Sequence, residues 1–392
     1  MMKPYTVHRV LLLLALVPLL HSCIKSEPEN QECDILEAWI ADEGLAPLFY
    51  HPSDMRIGSV PSDRRLLTFT VKPTLSLPPV AVSFRLTDGA TVTPASGSLQ
   101  DFSQGPVTYT VTSEDGQWQR RYEVELREPA LPVSTYDFEH RELSANGRYY
   151  VWYEQGDDGV KRYVWASGNE GYLIARPNTE ADDYPTAPCA DGYDGQCVRL
   201  TTCSTGTWGR RFRKPIAAGN LFLGVFDSDS AFTNTLKTTL MGVPYAVEPV
   251  RIGGYYKYQP GDVFTDKEFR ELPTRQDEAS IYAVLYLNHD ASGSEVVLHG
   301  DDVLSSPLIV SKAQVAALPP CDTWQRFDMI FEPLSPIDPD LLARRGYNLA
   351  LVFSSSKTGD TFEGAVGSTL YIDKVDVKFV DPQSGGKEED QP

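Results

Sequence analysis

Residues 370–380, Leu-Tyr-Ile-Asp-Lys-Val-Asp-Val-Lys-Phe-Val, read as one long strand. Tyr371, Val375, Val377 and Phe379 return at every second position, the period of a strand buried on one face. Asp373 falls in the same odd series, so this reading sets a carboxylate among apolar side chains, where it needs a partner. Further strand-like runs cover Arg148 to Glu154, Lys161 to Ala166, Asn220 to Phe226, Ile281 to Asn288, Trp324 to Phe331 and Tyr347 to Ser354. Helix is confined to short pieces. Pro339 to Arg345, closed by Gly346, has the Pro start and Gly stop of one or two turns. About 250 residues of long strands joined by large loops predict a two-sheet β jelly roll over residues 131–381.

A second, smaller all-β domain precedes it. Leu67 to Val71, Ala81 to Leu86, Val107 to Thr112 and Gln119 to Leu126 are short strand-like runs separated by Pro, Gly and Ser. In Tyr122-Glu123-Val124-Glu125-Leu126 apolar and charged residues alternate strictly. Asp115-Gly116, lying between two of these runs, favours the positive backbone angles of a tight hairpin turn. An immunoglobulin-like β-sandwich over residues 33–130 is the economical fold. Glu128-Pro129-Ala130-Leu131-Pro132 closes it, because proline blocks ladder pairing and biases its predecessor to extended geometry. Residues 89–97 (GATVTPASG), with Asp101-Phe102-Ser103, Tyr109-Thr110-Val111 and Ser113-Glu114-Asp115-Gly116, resemble small β-sandwich modules at the N-terminus of Bacteroidales surface lipoproteins, which implies a spacer.

The first 22 residues have the layout of a secretory signal: Lys3 and Arg9, then the apolar run Val10 to Leu20, then His21-Ser22. Eleven residues are too few to cross a bilayer, which asks for about 20. Leu20-His21-Ser22-Cys23 resembles a bacterial lipobox, implying cleavage before Cys23, diacylglycerol on its sulfur and membrane attachment by lipid alone. Residues 23–32 then read as a lipidated tether and 382–392 as a disordered polar tail. Acidic residues directly after Cys23 resemble the surface-export signal of Bacteroides-group lipoproteins. The expected location is the outer membrane, exposed at the cell surface or facing the periplasm.

Composition excludes some functions. Of 392 residues, 41% are apolar, and 54 acidic against 35 basic side chains give a net charge of −19, or −21 once Lys3 and Arg9 are removed. A nucleic-acid partner needs a basic footprint, and this chain has the opposite. Among the Cys left after Cys23, namely Cys33, Cys189, Cys197, Cys203 and Cys321, Cys189 with Cys197 or with Cys203 would close a short loop, and spacing does not choose between them. No CxxC pair is present, so zinc is not expected.

Four further motifs, in order, carry a family resemblance: Trp165-Ala166-Ser167-Gly168-Asn169, Gly254-Tyr255-Tyr256-Lys257-Tyr258, residues 354–360 (SSSKTGD), and residues 364–370 (GAVGSTL) with Ile372-Asp373. Leu221 to Gly224 and Gly242 to Tyr245 fit as well. Together they resemble the putative carbohydrate metabolism domain of Bacteroides lipoproteins across nearly all of residues 133–381. The resemblance implies a jelly roll like that of carbohydrate-binding modules in a glycan-handling lipoprotein, with polysaccharide or oligosaccharide as partner, and carries no reaction with it.

Candidate site residues follow from chemistry. Aromatic rings stack on the C–H faces of sugars and also fill cores, so each has two readings. On a strand, Tyr256 and Tyr258 share one face, Tyr255 and Lys257 the other; one pair is core and the other lines a binding face. Trp165, with Asn169 in the following turn, Trp208 in a Thr- and Ser-rich loop, and Lys357 complete the carbohydrate-binding candidates. For hydrolysis, two carboxylates about 5 Å, or about 6.5 to 9.5 Å, apart are required, and Glu278, Asp360 and Glu363 are the best placed. No motif requires a cofactor. Asp373, with Asp137-Phe138-Glu139 opening the domain, is similar to the Asp and first-strand Glu that hold a structural calcium in many carbohydrate-binding jelly rolls, which implies such a calcium; the alternative is a hydrogen-bonded carboxylate at the strand end. The function expected is glycan binding in a polysaccharide-utilisation system, alongside other outer-membrane uptake proteins; a glycoside hydrolase and a structural or adhesive surface subunit are the alternatives.

Overall fold

The computed structural model describes residues 28–49, 52–72, 74–127, 133–156, 159–228 and 235–380. The expected signal segment, Cys23, the first half of the tether and the tail 382–392 lie outside the described residues, as does the side chain of Trp208. The chain divides into two compact units, residues 1–72 with 76–129, and 73–75 with 130–392.

The first unit is an immunoglobulin-like sandwich of two four-stranded sheets. One sheet runs in the order Arg56–Ile57, Ile35–Ile40, Val80–Leu86, Leu99–Gln100; the other in the order Leu66–Thr70, Gln119–Arg127, Val107–Thr112, Thr91–Thr93. The expected hairpin is present: Val107–Thr112 pairs antiparallel with Gln119–Arg127 from Thr112↔Gln119 onward, and Gly116 in the turn has φ +69°. Leu66–Thr70 joins the same sheet in parallel. Tyr122, Val124 and Leu126, the apolar half of the alternating run, are buried with Phe69, Val82 and Tyr109.

The second unit is the larger jelly roll. A six-stranded sheet runs Thr186–Cys189, Cys197–Thr201, Thr369–Phe379, Pro249–Gln259, Cys321–Ile330, with Val133–Tyr136 also pairing along Thr369–Phe379. Facing it is an eight-stranded sheet, Trp165–Ala166, Asn220–Phe226, Tyr347–Ser354, Ser280–Leu287, Ile309–Gln314, Glu332–Pro333, extended by Thr239–Met241 and Val243–Tyr245. Ile252, Tyr256, Tyr258, Phe327 and Met329 from the first sheet meet Ile281, Leu285, Leu349, Leu351 and Phe353 from the second in one core.

The central strands Ser280–Leu287 and Tyr347–Ser354 are buried on both faces over nearly their whole length. Their second face, Tyr282, Val284, Tyr286, Ala350 and Val352, packs with Phe222, Met241, Leu298 and Val303 in a separate cluster. Continuous apolar runs are what a strand between two layers requires, whereas a half-exposed strand alternates. The helix expected at Pro339 to Arg345 is observed over Pro339–Ala343; Asp338 caps it, accepting from the Asp340 and Leu341 amides at 2.9 and 3.1 Å.

The last strand departs from strict alternation. Leu370 and Ile372 enter the core, and so do Val375 and Val377, so the inward series changes from even to odd positions. Lys374 sits at φ +45°, and the pairing with Pro249–Gln259 slips between Gly253 and Tyr255. A bulge of this kind resets which side chains face out. Asp373 therefore does not share the core face with Val375, Val377 and Phe379 as the plain alternation predicts; it pairs with Tyr255 and lies on the opposite face of the sheet, where it is fully buried against the loop that carries Tyr193.

Candidate functional site

The outward face of the six-stranded sheet gathers aromatic rings and cations. Tyr255 and Lys257 project from Pro249–Gln259, while Tyr256 and Tyr258 are buried. From the adjacent strand Cys321–Ile330 come Trp324 and Arg326, and from the other side Tyr371 and Asp373. Tyr193, on the loop joining Thr186–Cys189 to Cys197–Thr201, lies flat on Tyr255, with ring centroids 3.5 Å apart and an interplanar angle of 9°. Trp324 stands nearly perpendicular to Tyr193, at 6.5 Å and 82°. Tyr193 remains 48% exposed, so the stack presents ring surface to solvent.

Cations hold this surface in shape. The Lys257 Nζ lies 4.7 Å from the centroid of Trp324 and 4.9 Å from that of Tyr371, and pairs with Asp191 at 3.2 Å. Its side chain is only 14% exposed against 87% for Asp191, so the stem is packed between rings. Arg326 reaches across Gly253 to Asp328 and Asp376, at 3.0 and 3.1 Å, with its guanidinium 5.6 Å from the Tyr255 ring. A Cβ on Gly253 would lie 2.3 Å from that guanidinium, so a side chain there would push Arg326 aside.

Beneath the stack, two carboxylates grip the Tyr193 loop. Asp373 Oδ2 accepts from the Asp194 amide at 3.0 Å, its Oδ1 accepts from the Lys374 amide at 2.7 Å, and Glu139 Oε1 accepts from the Gln196 amide at 2.9 Å. Burial pushes the Asp373 carboxyl above the usual range, and the backbone donors oppose that shift. The two residues converge as expected, but the groups they face are N–H donors, which repel a cation. No cluster of three His, Cys, Asp or Glu able to hold a metal occurs among the described residues. In this structure the two carboxylates are engaged by backbone amides of residues 194, 196 and 374, as the hydrogen-bonded alternative describes.

A cavity of about 340 Å³ lies on the far side of the eight-stranded sheet, walled by Tyr172, Phe226, Tyr282 and Phe362 among others. Its polar rim includes Lys214, Lys357, Asp360 and Asn220. Burial raises the Asp360 carboxyl, and the neighbouring Glu363 charge adds to the shift. Burial also lowers the Lys214 ammonium. A smaller hollow of about 200 Å³ is lined by Glu278, Lys357 and residues 314–320.

The remaining candidates have structural partners. Trp165 is 5% exposed; its Nε1 donates to Glu154 at 2.7 Å and its ring meets Tyr136 and Phe138 in the core. Asn169 is fully buried, with its amide donating to the Thr186 carbonyl at 2.7 Å and accepting from the Thr186 amide at 3.0 Å. Neither offers a group to a ligand. Tyr256 and Tyr258 are core residues for the same reason of burial. Lys357 pairs with Glu278 at 3.2 Å and Glu363 with Arg275 at 3.4 Å, so of the three acids only Asp360 lines the large cavity.

The motif at 354–368 is held by a residue the sequence left in the background. Buried Asp277 accepts through Oδ2 from Ser356 Oγ at 2.6 Å, Ser368 Oγ at 2.7 Å and the Ala365 amide at 2.8 Å, and through Oδ1 from the Glu278 amide at 2.9 Å. Tyr193, Trp324, Arg326 and Tyr371 share this outward face without being among the candidates from the sequence. Trp324 and Arg326 alternate on their strand opposite buried Phe327 and Met329, a signal of an outward aromatic that sequence alone carried; the place of Tyr193 depends on a loop folding back and left no such trace.

An immunoglobulin-like module followed in the chain by a two-sheet jelly roll, with aromatic rings laid on an outer sheet face, defines an all-β protein of the β-sandwich class. Residues 137–378 match the family described as "Putative carbohydrate metabolism domain", and the chain belongs to that family. Residues 52–126 match a second family, described as "SGBP, N-terminal". Among solved structures, a putative glycoside hydrolase from Bacteroides thetaiotaomicron is similar at 36% identity and a TM-score of 0.59, over 91% of this chain and 99% of that one. A putative glycoside hydrolase from Bacteroides vulgatus is similar at 34% identity and 0.58, over 63% of this chain and 97% of that one. No curated protein matches the chain.

Proposed function

We propose that the jelly roll binds a polysaccharide or oligosaccharide on the outward face of its six-stranded sheet, as part of a cell-envelope lipoprotein in a polysaccharide-utilisation system. The observation that carries this reading is the parallel Tyr193–Tyr255 stack at 3.5 Å with Trp324 upright beside it. Flat rings fixed by neighbouring cations lose little entropy on binding and match the C–H faces of pyranose rings, while Lys257, Asp191 and Arg326 supply donors and acceptors for hydroxyls. Membership of a carbohydrate-metabolism family supports the substrate class. Affinity electrophoresis against a panel of soluble polysaccharides tests it: retardation by one of them, abolished in Trp324→Ala, is the expected result, and no retardation by any overturns it.

A second reading is hydrolysis at the 340 Å³ cavity, favoured by Asp360, whose raised carboxyl suits a general acid, and by the names of the similar structures. Release of reducing sugar that disappears in Asp360→Asn, while the Trp324→Ala protein still turns over, would establish it. Attachment to the membrane through Cys23 is tested separately by labelling with radioactive palmitate, which Cys23→Ala should prevent.

A further inference from the structure

The spacing of the cysteines left open whether Cys189 is partnered by Cys197 or Cys203, and the fold separates the two. Cys189 lies directly opposite Cys197 in the antiparallel pairing of their strands. Cys203 pairs instead with Ala217 in another sheet. Opposed residues of an antiparallel pair have Cα atoms about 4.5 or 5.5 Å apart, and both values fall in the range a disulfide spans. Both sulfurs are free thiols in this structure, with Cys197 buried and its Sγ 3.8 Å from the Asp191 carbonyl oxygen.

These two residues stand at the base of the loop that carries Tyr193. Besides their pairing, the loop is held by polar contacts: Asp191 to Lys257, Asp194 to Lys374 at 3.2 Å, and the amides of residues 194 and 196 on Asp373 and Glu139. Gly195 must stay bare, since a Cβ there would lie 2.0 Å from Glu139 Oε1. Salt screens such ion pairs, and they set the position of the ring without locking it.

We propose that Cys189 and Cys197 form a cross-strand disulfide that locks the Tyr193 loop onto the sheet, and that glycan binding on this face depends on it. The second half rests on the binding reading above; the first does not. The oxidant is a second disulfide, from a small molecule such as glutathione disulfide or from a thiol–disulfide oxidoreductase. The more accessible Cys189, as thiolate, attacks it, forming a mixed disulfide and expelling one thiolate. The Cys197 thiolate then attacks the Cys189 sulfur and expels the second. Two thiols lose two protons and two electrons, and the oxidant is reduced to two thiols. Burial, with the Cys189 sulfur beside it, holds the Cys197 thiol well above its usual pKa, so closure is slow at neutral pH and accelerates in base.

The full chain is equilibrated with glutathione disulfide, and thiols are counted before and after reduction. The expected result is two fewer thiols in the oxidised sample, a peptide joining residue 189 to residue 197, and a melting temperature higher by roughly 5 °C than in the reduced protein. The Cys189→Ser/Cys197→Ser protein, which keeps the loop contacts, should melt at the reduced temperature in both conditions. Hydrogen exchange of residues 190–196 should be faster by about tenfold in the reduced protein. A full thiol count after oxidation, or a link to Cys203, overturns the disulfide. A formed disulfide with unchanged exchange and unchanged polysaccharide retardation overturns the locking role. If no polysaccharide is retarded in either redox state, the binding reading fails, while the thiol count still decides the disulfide.

Discussion

Tyr255 and Tyr256 are neighbours in sequence with opposite fates, and their substitution separates binding from folding. Tyr255→Ala removes a ring from the stack on the outward face and should weaken polysaccharide retardation about tenfold with little change in melting temperature. Tyr256→Ala opens a hole in the core beside Phe327 and should cost about 3 to 5 kcal/mol in denaturant unfolding. Asp373 gives a pH test. Its folded-state pKa is raised from 3.8, so the folded chain holds that proton more tightly than the unfolded chain. The contribution is fully present below 3.8 and is lost as pH rises through the raised value. The stability of the native protein relative to Asp373→Asn should therefore decline with pH from about 3.8 upward and then level off; a difference that grows over that window would contradict the assignment. Alternation shows that Tyr255 and Lys257 share one face and Tyr256 and Tyr258 the other, but only burial shows which face is outward; Trp165 and Asn169 prove buried, because an aromatic or amide at a strand end looks the same in sequence whether it meets a sugar or a backbone.

Strands with continuous apolar runs, such as Ser280–Leu287, were legible as strands, but their second covering layer was not, since sequence does not say what lies on the far side of a sheet. The strand Pro249–Gln259 of the six-stranded sheet was read only in its Tyr-rich half because Gly253-Gly254 interrupts the pattern. The structure gives those glycines their reason: Gly253 leaves room for Arg326, and a Cβ on Gly254 would meet the Phe327 ring at 2.8 Å. Gly253→Val should displace Arg326 from Asp376, lower the melting temperature, and reduce polysaccharide retardation through the loss of the cation beneath Tyr255. The bulge at Lys374 likewise escapes a period-2 reading, because a positive φ at a lysine has no signature in composition.

Across the whole chain the all-β class and the order of the two folds were legible, since alternation and turn chemistry are local. The two cores share no residue, so each unit should unfold with its own cooperativity. Tyr122, fully buried and bonded to Asp34 at 2.9 Å, anchors the first core. Calorimetry of Tyr122→Ala is expected to show one transition lowered and the other unmoved, with polysaccharide retardation intact.

Asp277 also bears on the order in which this chain assembles. Its three Oδ2 donors come from residues 79, 88 and 91 positions further along, so that oxygen is satisfied only after the segment 356–368 has returned to it. Contacts this distant in sequence close late and slowly. Until then a carboxylate bound for the interior must stay hydrated, which keeps the segments around it from settling one at a time. The node acts as a completion check: a chain cut before Ser356 lacks all three donors, and the jelly roll is expected to fail as a unit rather than survive as a shortened sandwich.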